Sequence, residues 1–279
     1  MRARSSTALI AVAVLLAAPA SGSARVEDAV VVAPGGGAEL AADEGHVLLV
    51  LDILDQLDHL RFTPYNSRFA AFTIEDVTPG FSTFLLRLPA GSYCLANFRS
   101  GKLRWSRKDK SKPGLCFAVV AGALNYPGNF YVRAANGQGL SGWSFQVGQF
   151  LARMARDYPQ VLAEHTRLRV TGTSDGEGPR YGTREIAGAA FQAGDSELGA
   201  RLLVGAAEEG DSNAMLELGV RFLDGEGLRQ NTTKALAWLA RAAQAGDARA
   251  ARIGCDIEGT LDPPDADAAR TLCTSVPAE

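Results

Sequence analysis

Gly210-Asp-Ser-Asn-Ala-Met-Leu-Glu-Leu-Gly-Val-Arg-Phe-Leu-Asp-Gly-Glu-Gly227 is followed by Leu228 to Gly246, which contains Lys234-Ala-Leu-Ala-Trp-Leu-Ala-Arg-Ala-Ala243. Gly210-Asp211 opens this unit, and Gly246-Asp247 opens the next one 36 residues later (246 − 210). An Asp at such a point accepts hydrogen bonds from the free amides of a helix's first turn. Met215, Leu218 and Phe222 fall at i, i+3 and i+7, and Leu236, Leu239 and Ala243 repeat that spacing, so each half carries one apolar stripe. Gly219 in mid-helix costs about 1 kcal/mol relative to Ala, which is understandable if a partner helix crosses there at close range. Gly225 and Gly227 end the first helix and permit the reversal. Periods of this size mark stacked helix pairs, which act as docking surfaces more often than as catalysts.

The 36-residue shift also lays Ala206-Ala207-Glu-Glu-Gly210 on Ala242-Ala243-Gln-Ala-Gly246, Ala214 on Ala250, Lys234 on Arg270 and Leu236 on Leu272. The unit resembles the Sel-one-like repeat, a relative of the tetratricopeptide repeat, nearly position by position. Asn231 stands where that family usually has Asp, which keeps helix-capping chemistry. The residues expected to pack the unit are Ala214, Leu218, Gly219, Phe222, Gly225, Gly227, Ala235, Trp238, Ala242, Ala243 and Gly246, with Trp238 filling the space between successive pairs. The array reads as one full unit, a second-helix half before it at Gly199–Gly210, and a decayed unit after it, interrupted by Pro263-Pro264. About three repeats are needed for stability, so this array is expected to lean on the rest of the protein or on a disulfide.

Residues 25–170 read as mostly strand. His46-Val-Leu-Leu-Val-Leu-Asp-Ile-Leu54 is a buried apolar run. Ala70–Val77, Phe84–Leu88, Tyr93–Phe98, Cys116–Val120, Asn129–Arg133 and Trp143–Val147 are short, β-branched or aromatic-rich, and separated by Gly and Pro turns. Short strands at regular spacing without helices between them imply an antiparallel β-sandwich. Leu88-Pro-Ala-Gly-Ser-Tyr-Cys-Leu95 and Cys116 to Val132, with Tyr126-Pro-Gly128 inside, are similar to the turns of exported transthyretin-like and carboxypeptidase-regulatory-like domains. That resemblance implies an accessory β-sandwich and no active site. Leu151–His165 reads as a helix broken at Pro159, and residues 171–182 as a polar, Gly-rich linker. Residues 183–279 then form the helical module. The fold class is therefore α+β in two domains, an antiparallel β-sandwich followed by a short α-helical repeat solenoid.

The first 24 residues carry Arg2 and Arg4, an apolar run from Ala8 to Ala18 and a small-residue zone. This is the layout of a cleavable signal peptide, with cleavage after Ala20, Gly22 or Ala24. A run of that length is too short to span a bilayer, which takes about 20 residues. It places the mature protein in a bacterial periplasm or outside the cell. Losing the two arginines takes the formal charge from −3 to −5 (−3 − 2), which argues against nucleic acid as a partner. Cys94, Cys116, Cys255 and Cys273 are an even set in an exported chain, and proximity favours the pairs Cys94–Cys116 and Cys255–Cys273.

No catalytic, metal or cofactor constellation is read from the residues. His46, His59 and His165 lack zinc spacing and read as surface or partly buried polar residues. Asp52, Asp55 and Asp58 lack the Gly and the terminal Glu of a calcium loop and read as solvated acids at a strand-to-turn edge. Ser141 is not in an esterase elbow, and Pro34-Gly-Gly-Gly37 lacks the Lys of a phosphate loop. One surface stretch concentrates positive charge: Lys102, Arg104, Trp105, Arg107, Lys108, Lys110 and Lys112, between Cys94 and Cys116. The expectation is a non-enzymatic scaffold whose helical module binds another protein, and whose sandwich stays folded when 183–279 are removed. The rival is recognition of an envelope glycan or anionic polymer through that basic loop.

Overall fold

A computed structural model of the chain describes residues 24–37, 39–65, 71–107, 114–135, 138–173, 182–259 and 272–274. The signal-peptide reading of residues 1–23, most of the linker, and Lys108, Lys110 and Lys112 lie outside them. Fourteen strands are present among these residues. They are β1 (Arg25–Glu27), β2 (Val30–Val32), β3 (Glu44–Ile53), β4 (Leu57–Pro64), β5 (Phe72–Val77), β6 (Gly80–Pro89) and β7 (Gly91–Ser100). The rest are β8 (Leu103–Ser106), β9 (Cys116–Val119), β10 (Leu124–Tyr126), β11 (Asn129–Ala135), β12 (Gln138–Ser144), β13 (Leu168–Val170) and β14 (Gly172–Thr173). One sheet runs β1-β5-β4-β7-β9-β14 with β8 also on β7, and all its pairings are antiparallel. The other runs β12-β11-β3-β10-β13, with β6 also paired to β3 and β2 beyond it.

The two-sheet form agrees with the sequence reading, but the second sheet is mixed rather than antiparallel. β10 and β11 both run parallel to β3, with Leu124 opposite His46 and Asn129 opposite Val50, and β13 runs parallel to β10. The physical reason is the route of the chain. After β6 it crosses to build β7, β8 and β9 of the first sheet and re-enters in the direction of β3. The crossover that the β3–β10 pair requires is thus made of strands rather than a helix, and no local periodicity announces it.

β3 explains the long apolar run. Val47, Leu49, Leu51 and Ile53 face the space between the sheets, with Phe62, Phe72, Phe98, Phe117 and Phe130. Leu48 and Val50 face the other way, into a second core that continues through Phe150, Met154, Leu202, Leu218 and Leu239. A strand buried on both faces reads as continuous rather than alternating hydrophobicity. The consequence is architectural: the helical part and the outer face of the second sheet share one core. Of the expected linker, Thr171 is buried, and Gly172 and Thr173 pair with Phe117 and Cys116. A sandwich stripped of residues 183–259 would lose the part of this core formed by Ile186, Leu198, Leu202 and Leu203, so it is not expected to stay folded by itself.

Helices α1 (Val147–Asp157) and α2 (Pro159–Glu164) lie against that face, split by Pro159 as its missing N–H dictates. The repeat follows as α3 (Thr183–Gln192), α4 (Ser196–Glu208), α5 (Ser212–Asp224), α6 (Thr232–Gln244) and α7 (Ala248–Glu258), with a helical turn at 272–274. α3 and α4 form a complete pair, where the sequence suggested only half of one. Cys94–Cys116 joins directly opposed residues of β7 and β9, and Cys255–Cys273 joins α7 to the last turn. The second bridge closes a loop with a sequence separation of 18. Replacing both Cys255 and Cys273 with Ser should lower stability by roughly 3 kcal/mol, read from urea midpoints under non-reducing conditions. An unchanged midpoint would mean that the last helix pair holds without its staple.

Candidate functional site

The helical module is built from repeated local devices. Gly210 (φ 95°) and Gly246 (φ 93°) end one helix in the left-handed region that favours glycine. Asp211 and Asp247 then cap the next helix, Asp211 accepting from the Asn213 and Ala214 amides and Asp247 from those of Arg249 and Ala250. The Gly-Asp signature is therefore a stop followed by a start. Gly194-Asp195 does the same inside the first pair, with Asp195 accepting from the Leu198 amide. Asn231 caps α6 by accepting from the Lys234 amide, as its chemistry implied.

Each pair crosses at a glycine. A Cβ on Gly199 would lie 2.8 Å from the Phe191 ring, one on Gly219 would lie 2.7 Å from Leu239 Cγ, and one on Gly254 would lie 2.5 Å from a Leu272 methyl. The last pair is shorter than the 36-residue shift implies: Leu272 is 18 residues from Gly254 (272 − 254), whereas Leu239 is 20 from Gly219 (239 − 219). Cys255 and Cys273 stand one residue beyond this contact on either side, which places their sulfurs together.

Ala214, Leu218, Gly219, Ala235, Leu236, Leu239, Ala242 and Ala243 are buried as the sequence indicated, and Phe222 is half-buried. Trp238 is half-buried and packs against the core of the helical module, with the Arg241 guanidinium carbon 4.3 Å from its ring centroid. Leu239, its neighbour, supplies the contact with Gly219 and is fully buried.

Polar links tie the pairs to one another and to the sandwich. Arg184 reaches Asp211 at 3.4 Å, and Arg249 donates to Asn213 Oδ1 at 2.6 Å. Arg167 and Arg169, flanking and within β13, both donate to Glu209 at the end of α4. Gly205 of α4 lies directly on the Thr166 backbone. The first pair is thus consumed in holding the module to the sandwich. α5, α6 and their loop carry the exposed residues Asn213, Asp224, Arg229, Thr233, Lys234, Ala237 and Arg241.

The basic loop is more embedded than its sequence indicated. Trp105 stacks on Phe98 with ring centroids 5.6 Å apart and covers the inter-sheet core. Arg99 pairs with Asp58 at 2.9 Å, and Arg107 sits over the Tyr65 ring at 5.5 Å. Lys102 and Arg104 are exposed.

Two histidines also depart from expectation. His46 on β3 is fully buried and His165, just after α2, nearly so, with His46 Nδ1 2.8 Å from His165 Nε2. They are 119 residues apart, so no local motif could join them. His165 donates its other ring N–H to the Gly122 backbone, which leaves Nε2 to accept from His46. Burial, then His165 and Arg87, pushes the His46 pKa down to about 4. Burial likewise lowers that of His165. His59 fits its expectation, half-buried and hydrogen-bonded to Asn97.

Residues 212–247, which include all of α5 and α6, match the Sel1 repeat family model. No curated protein matches the chain.

Proposed function

We propose that the protein is an exported, non-enzymatic scaffold that binds another protein through α5, α6 and α7. The observation that carries this reading is a division of labour inside the repeat. α3 and α4 are buried against α1, α2 and the sandwich, while the segment matching the Sel1 repeat turns polar and half-buried residues outward. Helix-pair repeats serve as extended binding surfaces, and the sandwich here is a rigid mount that fixes the orientation of one. Export is supported by the basic-apolar-small layout of residues 1–24 and by two disulfides, which persist in oxidising compartments.

Photo-crosslinkers placed singly at Thr233, Ala237, Lys102 and Arg104 of the full chain in its native envelope would test the reading. Discrete protein adducts from Thr233 and Ala237 are expected, with none from the hairpin positions. Adducts confined to Lys102 and Arg104, or polymer retained through them, would move the function to the β-sandwich.

A further inference from the structure

We infer that the outer face of α6 receives an acidic segment of the partner protein, with two carboxylates about 10 Å apart. This rests on the docking reading above and names the chemistry of what docks.

The segment from Leu228 to Gly246 contains Arg229, Lys234 and Arg241 and no Asp or Glu, in a chain of formal charge −3. On α6, Lys234, Ala237, Trp238 and Arg241 fall at i, i+3, i+4 and i+7, one stripe along the side opposite Leu236, Leu239 and Ala243. Lys234, Ala237 and Arg241 are exposed and Trp238 half-buried. Elsewhere in the module Arg221 pairs with Glu217, Arg249 with Asp247 and Arg184 with Asp211, while Arg201 donates to the Leu162 carbonyl oxygen and Arg252 pairs with no carboxylate among the described residues. Among the described residues, Arg229, Lys234 and Arg241 have no carboxylate partner.

What holds two of these cations in place is aromatic. Lys234 Nζ lies 5.6 Å from the Phe222 ring centroid, and the Arg241 guanidinium lies 4.3 Å from that of Trp238. A guanidinium lying over a ring still directs its N–H donors outward in its own plane, and those donors match a carboxylate in a two-pronged geometry. The ring therefore pre-orients Arg241 for an acid, and no hydrogen bond among the described residues uses its edge. Seven residues of helix separate Lys234 from Arg241, about 10 Å of rise. A peptide in the polyproline II conformation covers that span in about three residues and returns to the same face at every third one, so the fitting segment carries acids at i and i+3 with an apolar residue between them for the exposed edge of Trp238. A long polyanion fits less well, because the protein's overall negative charge opposes it beyond this stripe.

The test uses the intact protein, nitrogen-15 labelled, titrated with an acetylated Gly-Glu-Leu-Ala-Glu-Gly peptide while the Trp238 indole N–H resonance is followed. A saturable shift is expected, weakened about tenfold by Arg241→Gln, by a peptide with Gln at both Glu positions, or by raising salt from about 25 to about 300 mM. A Lys234→Gln variant guards against loss of the Trp238 environment in Arg241→Gln and should weaken binding severalfold with the indole undisturbed. An unmoved indole, or equal shifts in wild type and both variants, overturns the inference. Tighter, Arg241-dependent binding of a sulfated polysaccharide also overturns it, in favour of a polymer. If envelope adducts form at Ala237 while the peptide fails, the docking reading stands and only the acidic chemistry is wrong.

Discussion

Gly205→Ala should destabilise the protein by about 3 kcal/mol or more, the upper end of what overpacking costs. Helix propensity alone predicts the opposite sign, because Ala in a helix interior is favoured over Gly by about 1 kcal/mol. The contact decides. A Cβ on Gly205 would lie 2.2 Å from the Thr166 carbonyl oxygen and 2.9 Å from Thr166 Cβ. Neither side can yield by changing a rotamer, since the first obstacle is backbone. That backbone is fixed on one side by the buried His165 and on the other by Leu168, whose amide donates to Thr183 Oγ1. α4 would have to lift from the sandwich, opening the core that runs from Leu48 to Leu202.

Gly188→Ala in α3 is the matched control. A Cβ there meets nothing within 4 Å, so the same substitution should stabilise by up to about 1 kcal/mol. Urea unfolding followed by far-ultraviolet circular dichroism measures both. If Gly205→Ala is neutral, or lowers only a separate first transition, the helical part and the sandwich do not form one cooperative core.

That shared core marks the limit of what could be read from the chain. Gly210-Asp211 and Gly246-Asp247 announced helix boundaries because capping is local chemistry, written within three residues of the cap. Gly219 announced a helix crossing because a glycine inside an apolar stripe weakens its own helix, a cost that close approach of a neighbouring helix offsets. β4 was missed because Asp58, at the start of Leu57-Asp-His-Leu-Arg-Phe-Thr-Pro64, suggested a turn together with Asp52 and Asp55, although Leu57, Leu60 and Phe62 are fully buried. β8 was hidden inside a charged stretch, its Trp105 reading as a binding aromatic when it is a core lid. The parallel neighbours of β3 and the His46–His165 contact depend on chain return over long separations, which periodicity does not encode. For the candidate site, the repeat residues were legible. That Lys234 and Arg241 meet no carboxylate among the described residues was not, because it depends on which acids fold beside them.

Acidification should remove roughly 3 kcal/mol of stability through His46 alone, counting about 1.4 kcal/mol for each pH unit between its ordinary value and about 4. The sign follows from the direction of the shift. Folding lowers the His46 pKa, so near pH 7 the ring is neutral in both states and nothing is lost. Below the ordinary histidine value of about 6.5 the unfolded chain takes up a proton that the folded protein refuses. Stability then falls until about pH 4, where the folded ring also protonates. His165, lowered by burial, adds to the loss in the same direction. The groups around His46 offer no relief. Arg87 stands opposite on β6 as a like charge, and Asn125 on β10 donates its amide to the His46 carbonyl oxygen rather than to the ring. Asp157 and Asp247 are held low by hydrogen bonds from Arg156 and Arg249. Their contributions therefore disappear only as the pH drops below the usual carboxylate range of about 4, which leaves the interval from about 6.5 to 4.5 to the histidines. Urea midpoints at steps through that interval should decline in the wild type. In a His46→Gln/His165→Gln variant they should be nearly flat, even if that variant is weaker at pH 7. An equally steep decline in both proteins would mean that the buried pair does not carry the acid sensitivity.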